Sequence, residues 1–172
     1  MINFKISWPL IEGILQTEFK ERLLKKRKKK IENYLKKNSG FIFNEIERQT
    51  SLKWKNKEIN IWLINGNYPT SPKPNLLNIS NNIEYIIFEL IYLLIHNIFI
   101  QNNYYENFLC EYGIDETMLE ATVYYYDKKI CTRLFSKRII NKIVKESIGE
   151  GFKQYVWDEV NQIEKEKFDK NK

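Results

Sequence analysis

The chain has few of the residues that most metal sites and cross-links require. It contains one histidine, His96, and two cysteines, Cys110 and Cys131, among 172 residues. The two cysteines are far apart and form no C-x-x-C pair, so the sequence has neither a zinc-finger pattern nor a disulfide framework. Glycine and proline are also scarce, with six and four copies, and long flexible linkers are therefore not expected.

Several common catalytic and recognition motifs are missing as well. There is no glycine-rich phosphate loop, no G-x-S-x-G turn and no RNP1 or G-x-x-G signature. Two minor alternatives stay open, a Cys–His dyad between either cysteine and His96, and a carboxylate pair for acid–base chemistry. The acids available for such a pair are Glu89, Glu116 and Glu120. The first residues lack the apolar core of a signal peptide, so we expect a cytoplasmic protein with reduced, inert thiols.

What is present predicts a globular α+β protein. With 43% hydrophobic and 15% aromatic residues, the chain can bury a substantial core. We expect a single domain over 1–172, with a basic N-terminal helix over 9–37, a central core over 41–135 and C-terminal helices over 136–168. Asn38-Ser39-Gly40 is expected to end the first helix, with a shorter helix after it.

The central core combines strand patterns with one very apolar helix. Apolar and polar residues alternate over 58–64, which predicts a strand. The loop 68–74 is too proline-rich for a central strand, and 76–79 is predicted as an edge strand after it. Asn81 and Glu84 form a capping-box pattern that opens an apolar helix ending near Asn102. A membrane span needs about 20 apolar residues, so this shorter run with Glu89 inside it is expected to be a buried core helix, and no membrane partner is expected.

The apolar helix contains the five-residue run Phe88-Glu89-Leu90-Ile91-Tyr92. In this setting, after an edge strand and before a helix with acids at its start, the run resembles the H-E-x-x-H motif of zincin metalloproteases, especially the small gluzincin-like domains. Residues i and i+4 share one helical face and can bind one zinc ion. The resemblance implies that Phe88 and Tyr92 occupy the two ligand positions, that Glu89 occupies the general-base position, and that Glu116 or Glu120 matches the third ligand.

Two of those positions depart from the family pattern. Phenylalanine cannot bind zinc, and the phenol of tyrosine titrates near 10, so it is a poor zinc ligand at neutral pH. His96 lies about 10 Å along the helix from Glu89, too far for both to bind one ion. We therefore expect a zincin-like scaffold that is catalytically inactive, holds no metal or cofactor, and acts by binding. The alternative is an ordinary buried helix that contains one glutamate.

One segment carries the whole charge imbalance. From Glu18 to Lys37 there are ten basic and three acidic residues, a net charge of +7, so the rest of the chain sums to −1 of the overall +6. The centre of this segment is a run of six bases, and it predicts a second function, that of a basic protein that binds nucleic acid or an acidic protein partner. Tyr34, Trp54 and Trp62 are candidates for base stacking. The six bases are Lys25, Lys26, Arg27, Lys28, Lys29 and Lys30.

Overall fold

Helices and one small sheet make up the fold in a computed structural model, which describes residues 2–6, 18–64, 70–107, 116–148 and 152–169. This composition confirms the predicted α+β class. The main elements, in chain order, are β1 (Ile2–Ile6), α1 (Glu18–Thr50), β2 (Ile59–Ile64), β3 (Ser71–Pro72), β4 (Asn75–Asn78), α2 (Ile83–Gln101), α3 (Glu116–Cys131), α4 (Lys137–Ile148) and α5 (Phe152–Asp169).

The strands form one mixed sheet in the order β1-β2-β4-β3. Strand β2 lies between two parallel neighbours, with Ile2 opposite Ile59 and Trp62 opposite Leu76, and β3 pairs antiparallel with β4 over two residues. The predicted pairing of the 58–64 and 76–79 strands in one sheet is confirmed. The prediction that 76–79 is the edge is wrong, because β3 covers part of β4. Among the described strands, proline occurs in the outermost one, β3, at Pro72, which is where a residue without an N–H is tolerated.

The first helix runs without interruption through the predicted stop. It continues past Gly40 to Thr50, while residues 7–17, where the predicted helix began, lie outside the described residues. Ile31, Leu35, Ile42 and Ile46 are all buried on one face, and this tertiary packing on both sides of Gly40 outweighs the weak local stop signal. The predicted break between a 9–37 helix and a second short helix is therefore wrong.

The apolar helix α2 lies at the centre of the core. The side chain of Asn82 caps it by accepting a hydrogen bond from the backbone N–H of Tyr85 at 2.9 Å, so the predicted cap at Asn81 was one residue early. Its end at Gln101, with Asn102 as the C-cap, matches the prediction. Among the described helices, α2 is the one long and apolar enough to cross a membrane, but 78% of that stretch is buried inside the protein.

The C-terminal helices pack against this core. Helix α3 contacts both α2 and α5. It ends at Cys131, four residues before the predicted end of the central core at residue 135. Helices α4 and α5 match the predicted 136–148 and 152–168 segments closely. A continuous hydrophobic cluster draws side chains from α1, β2, β4 and all four later helices.

Candidate functional site

The motif-like face of α2 is covered by α3 and α5. Phe88 is fully buried and stacks on Tyr124 at 6.1 Å between ring centroids, with the Trp157 ring at 6.5 Å. Glu89 and Tyr92 are also buried. The aromatic rings at positions 88 and 92 therefore pack against the neighbouring helices.

Tyr92 meets one of the two predicted third-ligand residues. Its hydroxyl donates a hydrogen bond to Oε2 of Glu120 at 3.0 Å. Burial, together with the adjacent Glu120 carboxylate, holds the pKa of Tyr92 far above its ordinary value of 10, so the phenol is neutral. The structure thus brings the second ligand position and Glu120 together. Glu116 is the first residue of α3, and its side chain lies outside the described part.

His96 lies one turn further along the same face. Its ring is edge-on to that of Tyr92, with centroids 4.5 Å apart, and its Nε2 is 3.5 Å from Oε1 of Glu120. On the other side of the ring, Nδ1 and the hydroxyl of Tyr105 form a very short contact. Burial, with a smaller contribution from Lys73, lowers the pKa of His96 to about 3, so the imidazole is neutral at pH 7. The four residues form a connected chain in the order Tyr105, His96, Glu120, Tyr92.

A second acidic position was missed by sequence reasoning. Asp127 is fully buried on α3, and one carboxyl oxygen accepts a hydrogen bond from Sγ of Cys131 at 3.3 Å. Burial raises the pKa of Asp127 well above its ordinary value, with the nearby Glu89 carboxylate adding to the effect. Burial likewise raises the pKa of the Cys131 thiol, which is free and unreactive, whereas Cys110 lies outside the described residues. The signal was available, since Asp127 falls on the apolar face of α3 with Tyr124 and Cys131.

None of these groups reproduces a zincin metal centre. Across the described ranges there is no cluster of three or more histidine, cysteine, aspartate or glutamate side chains placed to hold a metal ion. The carboxylate at the general-base position, Glu89, is 6% exposed. Its charge contributes to the raised pKa values of Tyr124 and Asp127.

The six bases of the run 25–30 differ in how far α1 exposes them to solvent. Lys25, Lys26, Lys29 and Lys30 are exposed, while Arg27 and Lys28 are half-buried. The guanidinium of Arg27 donates a hydrogen bond to the carbonyl of Ile79, and Lys28 pairs with Glu32 at 3.7 Å. The Arg27 guanidinium thus makes a structural contact between α1 and the residue that follows β4.

A wider set of bases shares the solvent-facing side of α1. At 100° per residue, six exposed bases lie within about 60° of the direction opposite the buried stripe. The only acid between residues 22 and 37 is Glu32, on the flank of this surface. We call this surface the basic ridge, and sequence reasoning from the contiguous run missed half of it. It consists of Arg22, Lys26, Lys29, Lys30, Lys36 and Lys37.

The aromatic residues suggested for base stacking are mostly occupied. Tyr34 stacks on Phe135 at 6.3 Å, and Trp54 is buried edge-on against Phe43 at 4.9 Å. Trp62 is 38% exposed on the outer face of the sheet. Two of the three predicted stacking residues are thus structural, and Trp62 alone of the three presents a substantial ring surface to solvent.

Comparison of the chain with protein-family models, with curated proteins and with solved structures gave no match.

Proposed function

We propose that this protein binds the phosphate backbone of nucleic acid through the basic ridge on α1. The observation that carries the proposal is the exposure of six bases on one helix face that no acid interrupts. Contacts of this kind supply affinity without sequence specificity, because every nucleotide presents the same phosphate. A helix that needed only solubility would gain as much from mixed charges, and the rest of this chain is close to neutral.

The dimensions of the ridge suit a nucleic-acid strand. Arg22 and Lys37 are 15 residues apart, which is about 22 Å along a helix, or roughly six steps of a duplex. A groove of about 470 Å³ adjoins its C-terminal half, and Lys36 belongs to both surfaces. Lys57, which precedes β2, also lines the groove, as does Glu32, so the groove adds one base and one acid beside the ridge.

Fluorescence anisotropy with a labelled duplex of arbitrary sequence tests the proposal. If about four bases contact phosphates, the logarithm of affinity should fall with the logarithm of salt concentration at a slope near −3 to −4. The dissociation constant at physiological salt should be micromolar or weaker. The triple reversal Lys26→Glu, Lys29→Glu and Lys36→Glu should abolish binding and leave the circular dichroism spectrum unchanged, since exposed positions tolerate such changes.

A second triple variant controls for net charge. Lys137→Glu, Arg138→Glu and Lys145→Glu change the charge by the same amount at exposed positions of α4. Equal loss of binding in both variants would refute the assignment to the ridge, as would the absence of binding at low salt, where screening is weakest. Saturable capture of an acidic protein that bulk nucleic acid does not displace would instead identify that protein as the partner.

We also propose, as a second candidate, that the scaffold is zincin-like and has lost its metal. The specific support is the Tyr92–Glu120 contact, because the resemblance requires those two positions to converge. The variant Phe88→His with Tyr92→His should then bind zinc. Burying an imidazole in place of Phe88 should cost on the order of 3 kcal/mol, and zinc at a hundredfold excess over its dissociation constant should restore about 2.7 kcal/mol.

The single change Phe88→His is the matched control for this experiment. It has the same packing defect at position 88 but lacks the second new histidine ligand at position 92. Zinc should raise the melting temperature of the double variant and leave the single variant almost unaffected. A folded double variant that gains no zinc affinity would eliminate the zincin-like geometry.

A further inference from the structure

Two potential metal donors, from Tyr92 and His96, each meet the Glu120 carboxylate at the C-terminal end of the motif-like run. Oε2 of Glu120 is 3.0 Å from the Tyr92 hydroxyl, and Oε1 is 3.5 Å from Nε2 of His96. Ligand bonds of about 2.0–2.1 Å place neighbouring donor atoms about 2.9 Å apart at an octahedral angle and about 3.4 Å apart at a tetrahedral angle. The Tyr92–Glu120 and His96–Glu120 spacings, measured to the two oxygens of one carboxylate, lie close to these values.

The histidine is oriented for this purpose. It is 2% exposed, and among the described residues its Nε2 has no hydrogen-bond partner. Its Nδ1 lies against the Tyr105 hydroxyl, whose oxygen can accept a hydrogen bond from the N–H of that nitrogen. A metal-bound histidine commonly donates its other N–H to such an oxygen, which leaves Nε2 as the ligand atom. A buried imidazole nitrogen that faces a carboxylate is suited to act as a metal ligand.

We propose that Tyr92, His96 and Glu120 form a binding site for a ferric ion. The donor set consists of a phenol oxygen, a carboxylate oxygen and one imidazole. Zinc sites favour several nitrogen or thiolate ligands, whereas hard oxygen donors favour a harder cation. On binding, the Tyr92 phenol loses its proton to water, and the phenolate and the Glu120 carboxylate supply two negative charges. Water completes the coordination sphere.

Of the charges around the site, one favours a bound cation and one opposes it. Glu89 adds a negative charge close enough to influence Tyr92. Lys73 opposes a cation, since its ammonium lies over the Tyr105 ring at 5.4 Å and its charge also reaches His96. The side chain of Lys73 is exposed, so solvent screens this repulsion. Its removal should strengthen iron binding without disturbing the core.

Titration of the purified protein with ferric nitrilotriacetate tests the proposal. A ferric phenolate absorbs visible light through charge transfer, and the wild-type protein should develop such a band to a stoichiometry of about one per chain. Tyr92→Phe should remove the band, while Tyr155→Phe, at a tyrosine that is 69% exposed, should leave it unchanged. Glu120→Gln and His96→Gln should weaken binding about tenfold or more, and Lys73→Gln should tighten it roughly twofold.

Absence of a visible band in the wild-type protein would overturn the proposal. A band of equal strength in Tyr92→Phe would also overturn it, because the iron would then be bound elsewhere. Lys73→Gln keeps the test decisive if a core variant fails to fold, since unchanged or weaker iron binding in that variant would count against the site. None of these results depends on nucleic-acid binding, so the two proposals stand or fall separately.

Discussion

A buried carboxylate at the C-terminal end of α1 provides a sharp test of the electrostatics of this fold. Glu45 is 4% exposed. It accepts hydrogen bonds from Arg48 at 2.5 and 3.0 Å and from Gln49 at 2.6 Å. Nη1 of Arg133, in the turn after α3, donates to Oε2 of Glu45 at 2.8 Å, the oxygen that also accepts from Nε of Arg48. The perturbation is Glu45→Gln, which keeps the shape of the side chain and removes its charge.

The expected magnitude follows from the pKa of this carboxyl. The hydrogen bond from Arg48 is the main reason that the pKa of Glu45 falls from 4.5 to about 2, and a shift of that size corresponds to about 3.4 kcal/mol at most. The side chains of Arg48 and Arg133 are 59% and 49% exposed, so solvent screening should reduce this value by about half. We therefore expect Glu45→Gln to lower the free energy of unfolding by about 1.5–2 kcal/mol at pH 7.

The sign of the pH dependence is fixed by the direction of the shift. Since the pKa is lower in the folded protein, the stabilisation is fully present above pH 4.5 and is lost as pH falls towards 2. Roughly two fifths of it should be gone at pH 3.5. Urea denaturation of both proteins at pH 7 and pH 3.5 measures the difference, and a gap in stability that did not narrow at the lower pH would refute the charge-based explanation.

A surface ion pair supplies the control for this measurement. Glu146 lies 3.6 Å from Lys142 on α4, with both side chains largely exposed. Glu146→Gln should change the free energy of unfolding by less than about 0.5 kcal/mol at either pH. If Glu146→Gln lowered the free energy of unfolding as much as Glu45→Gln, burial of the Glu45 carboxylate would not explain the effect of Glu45→Gln.

Two further outcomes are expected. Gly40→Ala should raise the free energy of unfolding by about 0.5–1 kcal/mol in thermal or urea denaturation, because Gly40 lies inside a continuous helix and an added Cβ meets no atom within 4 Å; a loss of stability would instead support a helix end at this position. The wild-type protein should hold no stoichiometric zinc and show no chelator-sensitive peptidase activity, since Phe88 and Tyr92 stand at the two ligand positions; about one zinc per chain in elemental analysis would contradict this.

Local sequence patterns predicted the strand and the helices whose buried apolar side chains recur at a regular spacing along the chain. Strand β2 follows from alternation, and α2, α4 and α5 follow from apolar spacing. Strand β1 could not be recognised, because its five residues are held by parallel pairing to β2, more than 50 residues away. The continuation of α1 through Gly40 was equally hidden, since it depends on packing contacts that Ile42 and Ile46 make with the core.

At the candidate sites, too, the spacing of residues along a helix predicted some features, whereas contacts between distant segments could not be predicted. Helical spacing placed Phe88, Tyr92 and His96 on one face, and the acids at the start of α3 made Glu120 a plausible neighbour of Tyr92. The contact between His96 and Tyr105 depends on how the chain turns after α2, which no periodicity predicts. In the basic run, the charges were evident from the sequence, but the use of Arg27 as a contact to Ile79 was not.

The aromatic residues at the two ligand positions have different consequences for the fold. Phe88 joins α2 to the C-terminal helices, because its ring contacts Tyr124 and Trp157, and Trp157 in turn donates a hydrogen bond to Oγ of Ser147 at 2.8 Å. Tyr92 instead ends in a hydroxyl and keeps a polar contact with Glu120. Position 88 is therefore committed to packing, so that restoring a ligand there must weaken the attachment of α5. Position 92 retains polar chemistry, and any metal binding in the wild-type chain should therefore involve Tyr92, His96 and Glu120 rather than position 88.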